Sequence, residues 1–61
     1  MDAVTNFAKL LHREVARLDA LKNRAEKLKD ASEEMREELV SVLNDIAIGV
    51  DDLAARLEDN K

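Results

Sequence analysis

The chain has no cysteine, no proline, no tryptophan and no tyrosine, and among its 61 residues Gly49 is the one glycine and Phe7 the one aromatic. Each absence closes a route. Without cysteine there is no disulfide framework, and with His12 as the single histidine the four Cys/His ligands of a structural zinc site cannot be assembled. A lone glycine excludes a glycine-rich phosphate loop, and the lack of aromatic and turn residues argues against a β-sandwich or barrel. The longest apolar run, Ile46 to Val50, falls far short of the ~20 residues needed to cross a bilayer. Asp2 and Glu14 near the start fit neither the basic opening of a secretory signal nor the acid-poor bias of a transit peptide, so the expected location is cytoplasmic.

What is present is 46% apolar and 39% charged, a composition suited to amphipathic helices. The length allows one small domain over residues 1–61. Below roughly 70 to 80 residues a lone hydrophobic core seldom supplies more than about 3 to 5 kcal/mol, so small natural chains add a disulfide, a metal or a further subunit. Only the last remains here.

The net charge of −4 disfavours non-specific attraction to phosphate backbones or anionic lipid. Its distribution is uneven. Residues 1–31 hold seven Lys/Arg against five Asp/Glu, whereas residues 32–61 hold three against nine. One half is basic and the other acidic.

With Val4 at heptad position a, the a series reads Val4, Leu11, Leu18, Ala25, Ser32, Leu39, Ile46 and Leu53, and the d series Phe7, Glu14, Leu21, Leu28, Met35, Val42, Gly49 and Arg56. This is a helical period throughout. Position e adds Ala8, Val15, Leu43, Val50 and Leu57, which widens the apolar face to that of a globular bundle. In the middle, Lys22, Lys29 and Arg36 occupy e and weaken the stripe. Asp30 or Ser32 can cap a new helix there, with Glu33 and Glu34 complementing its N-terminal dipole.

The pattern therefore predicts an all-α, coiled-coil-like antiparallel hairpin that dimerises into a four-helix bundle: helix 1 over about 3–29 with Asp2 as its cap, a turn at 30–31, and helix 2 over about 32–58. Facing g positions carry Arg17 and Arg24 on helix 1 and Glu38, Asp45 and Asp52 on helix 2, so Arg17 with Asp45 and Arg24 with Glu38 suit one fold-back near residue 31. The heptad phase also runs through the turn without a skip, and no glycine or proline marks a loop there. The alternative is one continuous long helix in an antiparallel coiled coil.

Helix 2 is apolar around much of its circumference. Val40, Ala47 and Ala54 line b, Ile48 and Ala55 line c, and Gly49 sits between them inside an otherwise strong helical pattern. These six residues are the expected oligomer or partner interface, the partner being a second copy of the chain or a helix of another protein. Gly49 is read as lying within a continuous helix, because Ile46 and Leu53 keep their register across it.

Catalytic chemistry finds little to work with. The hydroxyls are Thr5, Ser32 and Ser41, for which two helices offer no closed pocket, and His12 lies at b on the flank of helix 1. Glu33 with Glu37 and Glu34 with Glu38 set carboxylates one turn apart, but the Glu-x-x-His unit of di-iron bundles is missing. The chain is expected to be non-enzymatic, with no cofactor and no metal. Its function is read as protein–protein interaction, in the manner of a small adaptor, regulator, assembly chaperone or scaffold-type subunit. In size and architecture, though in no motif, it resembles the Rop-like RNA-binding dimers of hairpins. That likeness implies an alternative in which a basic face of helix 1, with Lys9, Arg13 and Lys27, meets nucleic acid. The net negative charge and the lone aromatic weigh against it.

Overall fold

Asp2 opens the first helix. In the structure, a computed structural model that describes residues 2–59, its backbone is extended while its carboxylate accepts the Val4 N–H at 3.0 Å and the Thr5 hydroxyl at 3.0 Å. That satisfies one of the donors a helix start leaves unpaired. From there α1 runs Ala3–Glu26 and α2 runs Glu33–Asp59, with no strand among the described residues.

The fold is an all-α helical hairpin, and the continuous-helix alternative is ruled out: the chain reverses between Glu26 and Glu33. The first helix ends three residues earlier than the expected 29. Lys27 N–H bonds Arg24 C=O at 3.1 Å and Leu28 N–H bonds Ala25 C=O at 3.2 Å, the i to i−3 pattern that tightens and closes a last turn. The turn is correspondingly wider than 30–31. Ser32 caps α2, its Oγ accepting the Met35 N–H at 3.1 Å while its carbonyl accepts the Arg36 N–H at 3.0 Å. Asp30 is not the cap.

A reversal without glycine or proline needs its free carbonyls satisfied in another way. Arg36 does this. Its Nη1 donates to Leu28 C=O at 2.7 Å and to Ala31 C=O at 2.6 Å, so one cation on the first turn of α2 holds both ends of the connection. The heptad pattern registers Arg36 only as an interruption of the apolar stripe. In three dimensions it replaces the C-terminal glycine.

α1 and α2 meet along one seam. On α1 the covered residues are Thr5, Ala8, Leu11, Val15, Leu18, Lys22 and Ala25; on α2 they are Arg36, Leu39, Val40, Leu43, Ala47, Val50, Ala54 and Leu57. Apart from Thr5 at b and Leu39 at a, these are a and e positions on α1 but e and b positions on α2. The offset follows from size: Ala8, Ala25, Ala47 and Ala54 let the backbones approach, and interaxial distance is set by the side chains at the contact. α2 passes through Gly49 unbroken, with no positive φ.

The Cα trace measures 46 × 15 × 9 Å, with a radius of gyration of 14.4 Å. A compact chain of this length would have about 10.5 Å. The shortest dimension is one helix thick, so the hairpin is a single layer, whereas a stable core is ordinarily enclosed between two.

Candidate interaction face

A single layer covers only half of an apolar face three positions wide. Among the apolar residues of the a, d and e series, Leu11, Val15, Leu18, Leu39, Leu43, Val50 and Leu57 are half-buried in the seam. Phe7, Leu21, Leu28, Met35, Val42, Ile46 and Leu53 are exposed. The division is systematic. The exposed residues are at d on α1 and in the connection, at d on α2, and at a in the later part of α2 (Ile46 and Leu53), and in an antiparallel pair these rows fall on the same side of the seam. Phe7 at 55%, Val42 at 51% and Leu53 at 53% exposure belong to one continuous open face.

Two shallow hollows mark this face. One is lined by Phe7, Leu11, Leu53, Arg56 and Leu57, the other by Leu21, Arg24, Ala25, Leu28 and Leu43. Between them Gly49 leaves a gap: a Cβ built there meets nothing within 4 Å. Two charged residues also occupy d positions on the face, Glu14 and Arg56, each exposed. Glu14 is held by Arg17 at 3.3 Å and Arg56 by Asp52 at 3.1 Å.

The opposite side of the seam is polar. His12 reaches across to α2, with Nε2 facing Glu58 Oε1 at 3.1 Å and Nδ1 lying 3.7 Å from Asp51. Lys22 donates to Asn44 at 3.4 Å and lies 3.6 Å from Asp19. These contacts fix the register of the hairpin, with His12 set between Asp51 and Glu58. They are solvent-exposed pairs, each worth roughly 0.2 to 1 kcal/mol, so they set alignment more than they hold the helices together.

The six residues expected to form a partner interface divide. Ala54 is fully buried against α1, and Val40 and Ala47 are half-buried in the same seam; this row is covered by the chain itself. Ile48, Gly49 and Ala55 remain exposed, but only Gly49 belongs to the open face, since Ile48 lines the polar-side hollow with His12 and Asp51. The uncovered surface is therefore the a/d side rather than the b/c side. Because the seam is turned toward b, the expected pairs Arg17–Asp45 and Arg24–Glu38 do not form within the chain either: Arg17 bonds Glu14 instead, and Arg24 and Glu38 make no ion pair among the described residues.

The candidate nucleic-acid residues Lys9, Arg13 and Lys27 are exposed, yet they form no compact patch. Arg13 and Lys27 are separated by about 21 Å along the helix. None of the three hydroxyls is hydrogen-bonded to His12: Thr5 is bound to Asp2 and Ser32 to the backbone of Met35. Among the described residues no group of three or more His, Asp or Glu side chains is placed to hold a metal ion, and no helix is long and apolar enough to cross a membrane. Comparison with protein families, with curated proteins and with solved structures finds no match to this chain.

Proposed function

We propose that the chain is a non-enzymatic protein–protein interaction module that works as an oligomeric helical bundle, in the role of a small adaptor, regulator, assembly chaperone or scaffold-type subunit. One observation carries this reading. Among the described residues only Ala8, Ala25 and Ala54 are buried, while every larger apolar group keeps part of its surface in water. Burial of a Leu, Ile, Phe or Val side chain contributes about 1.5 to 3 kcal/mol, and with its open-face side chains roughly half exposed the hairpin forgoes about half of that there. A contiguous apolar surface of this kind marks a site of association.

The test is the mass in solution by light scattering over a wide concentration range, paired with circular dichroism. The wild-type chain is expected to be helical with a mass that is a multiple of 6.9 kDa. Val42→Glu and Ile46→Glu, both at positions exposed in the hairpin, should drive the mass toward that of one chain. A folded wild-type chain that keeps the single-chain mass throughout overturns the reading.

A further inference from the structure

Resting on the preceding reading, we propose that the occupant of the open face is a second copy of the chain, related by a two-fold axis parallel to the helices, so that α1 of one copy lies on α2 of the other and both turns lie at the same end.

Area supports a partner of this size. The chain exposes 4939 Å², whereas a compact monomer of 6.9 kDa exposes about 4000 Å². The excess of about 900 Å² is close to the roughly 800 Å² that each partner loses in a standard interface. A copy of the same single layer supplies the missing second layer with a face of matching length.

Charge selects the orientation. The open face is bordered on its α1 edge by Arg13, Arg17, Arg24 and Lys27, with no acid at the corresponding c and g positions. Its α2 edge carries Glu34, Glu38, Asp45 and Asp52, with no base. Two identical layers can stack face to face about an in-plane two-fold in two ways that keep neighbouring helices antiparallel. An axis perpendicular to the helices sets α1 on α1 and α2 on α2, bringing basic edge to basic edge and acidic to acidic. An axis parallel to the helices sets each basic edge against an acidic one.

The register sharpens this choice. With His12 reaching Asp51 and Glu58 and Lys22 reaching Asn44, Arg17 lies within about one helical turn of the height of Asp45, and Arg24 of Glu38. A rotation about the long axis preserves height, so Arg17 of one copy meets Asp45 of the other and Arg24 meets Glu38. The pairs that the heptads suggested within a chain are then made between chains. Glu14, near the midpoint of α1, comes close in height to Gly49 of the second copy, where the hairpin leaves the space around an added Cβ open. The perpendicular axis would instead press Glu14 on Glu14.

The absence of cysteine permits a single spin label at Lys29→Cys, an exposed position in the turn, with the distance read by pulsed electron resonance and the mass by light scattering. A dimer with labels within about 25 Å, two to three helix diameters, is the expected result. A dimer whose labels lie apart by nearly the 46 Å length of the layer overturns this orientation and leaves the preceding reading standing. A single-chain mass removes both. As a second measure, Arg17→Glu with Arg24→Glu should raise the dimer dissociation constant at least about tenfold, and adding Glu38→Arg with Asp45→Arg should recover most of it. A loss that the compensating pair fails to recover overturns the assigned partners.

Discussion

Replacing Arg36 with methionine keeps an aliphatic stem in the seam but removes the guanidinium that donates to Leu28 C=O at 2.7 Å and Ala31 C=O at 2.6 Å. Hydrogen bonds from a charged donor contribute about 1.5 to 3 kcal/mol each when sheltered. Here the first bond is exposed and the second part-buried, and water can replace the donor once it is gone. The two together are therefore set at about 2 kcal/mol, below the sheltered range. A chain of 61 residues at ordinary stability per residue has roughly 3 to 9 kcal/mol in total, so this loss is a large fraction. With about 4 to 8 °C per kcal/mol in a small domain, the melting temperature should fall by roughly 8 to 16 °C. The assay is a thermal melt followed by circular dichroism, with wild type and variant at one fixed chain concentration because association and folding are linked. Arg36→Lys should fall between them, since an ammonium can donate but on a shorter stem. A change below about 0.5 kcal/mol for Arg36→Met, the size of an ordinary surface substitution, would refute the assignment of Arg36 as the clamp of the turn.

Ser32→Ala should cost about 1 kcal/mol by leaving the Met35 N–H without its cap, with Asp30→Ala near neutral in the same melt; the reverse order would reinstate Asp30. Ala54→Leu, at a side chain with 0% exposure against α1, should overpack the seam and destabilise the hairpin by about 1 to 3 kcal/mol, measured by urea denaturation, and full wild-type stability would mean that the helices do not meet there. Gly49→Leu improves helix propensity, and its Cβ meets nothing within 4 Å in the hairpin. Helicity should therefore hold or rise while the dimer dissociation constant increases, and an unchanged constant would mean that no second chain packs over residue 49. His12→Ala should remove the cross-seam contacts to Glu58 and Asp51 at a cost of no more than about 1 kcal/mol, and a larger loss in the melt would show a structural role beyond exposed pairing.

The heptad series by itself determined that the chain is two helices, found at Ala3–Glu26 and Glu33–Asp59, that its apolar face is about three positions wide, and that Asp2 caps the first helix. These are local properties: period, cap chemistry and composition act within a turn or two of the residue that carries them. It also determined that the two helices carry opposite edges of charge, because Arg17 and Arg24 share a row, as do Glu38, Asp45 and Asp52.

What only the tertiary structure decided is which part of that wide face the chain covers for itself. Heptads treat a and d as the seam by default, but alanines at positions 8, 25, 47 and 54 let the helices close along the e and b side, and that choice depends on both helices at once. It moved Val40, Ala47 and Ala54 into the hairpin and turned Phe7, Val42, Ile46 and Leu53 outward. The reversal itself was decided in the same way. Ser32 marks where α2 begins, but the reversal is closed by Arg36, a side chain whose role exists only after the backbone has folded back to place Leu28 and Ala31 within its reach.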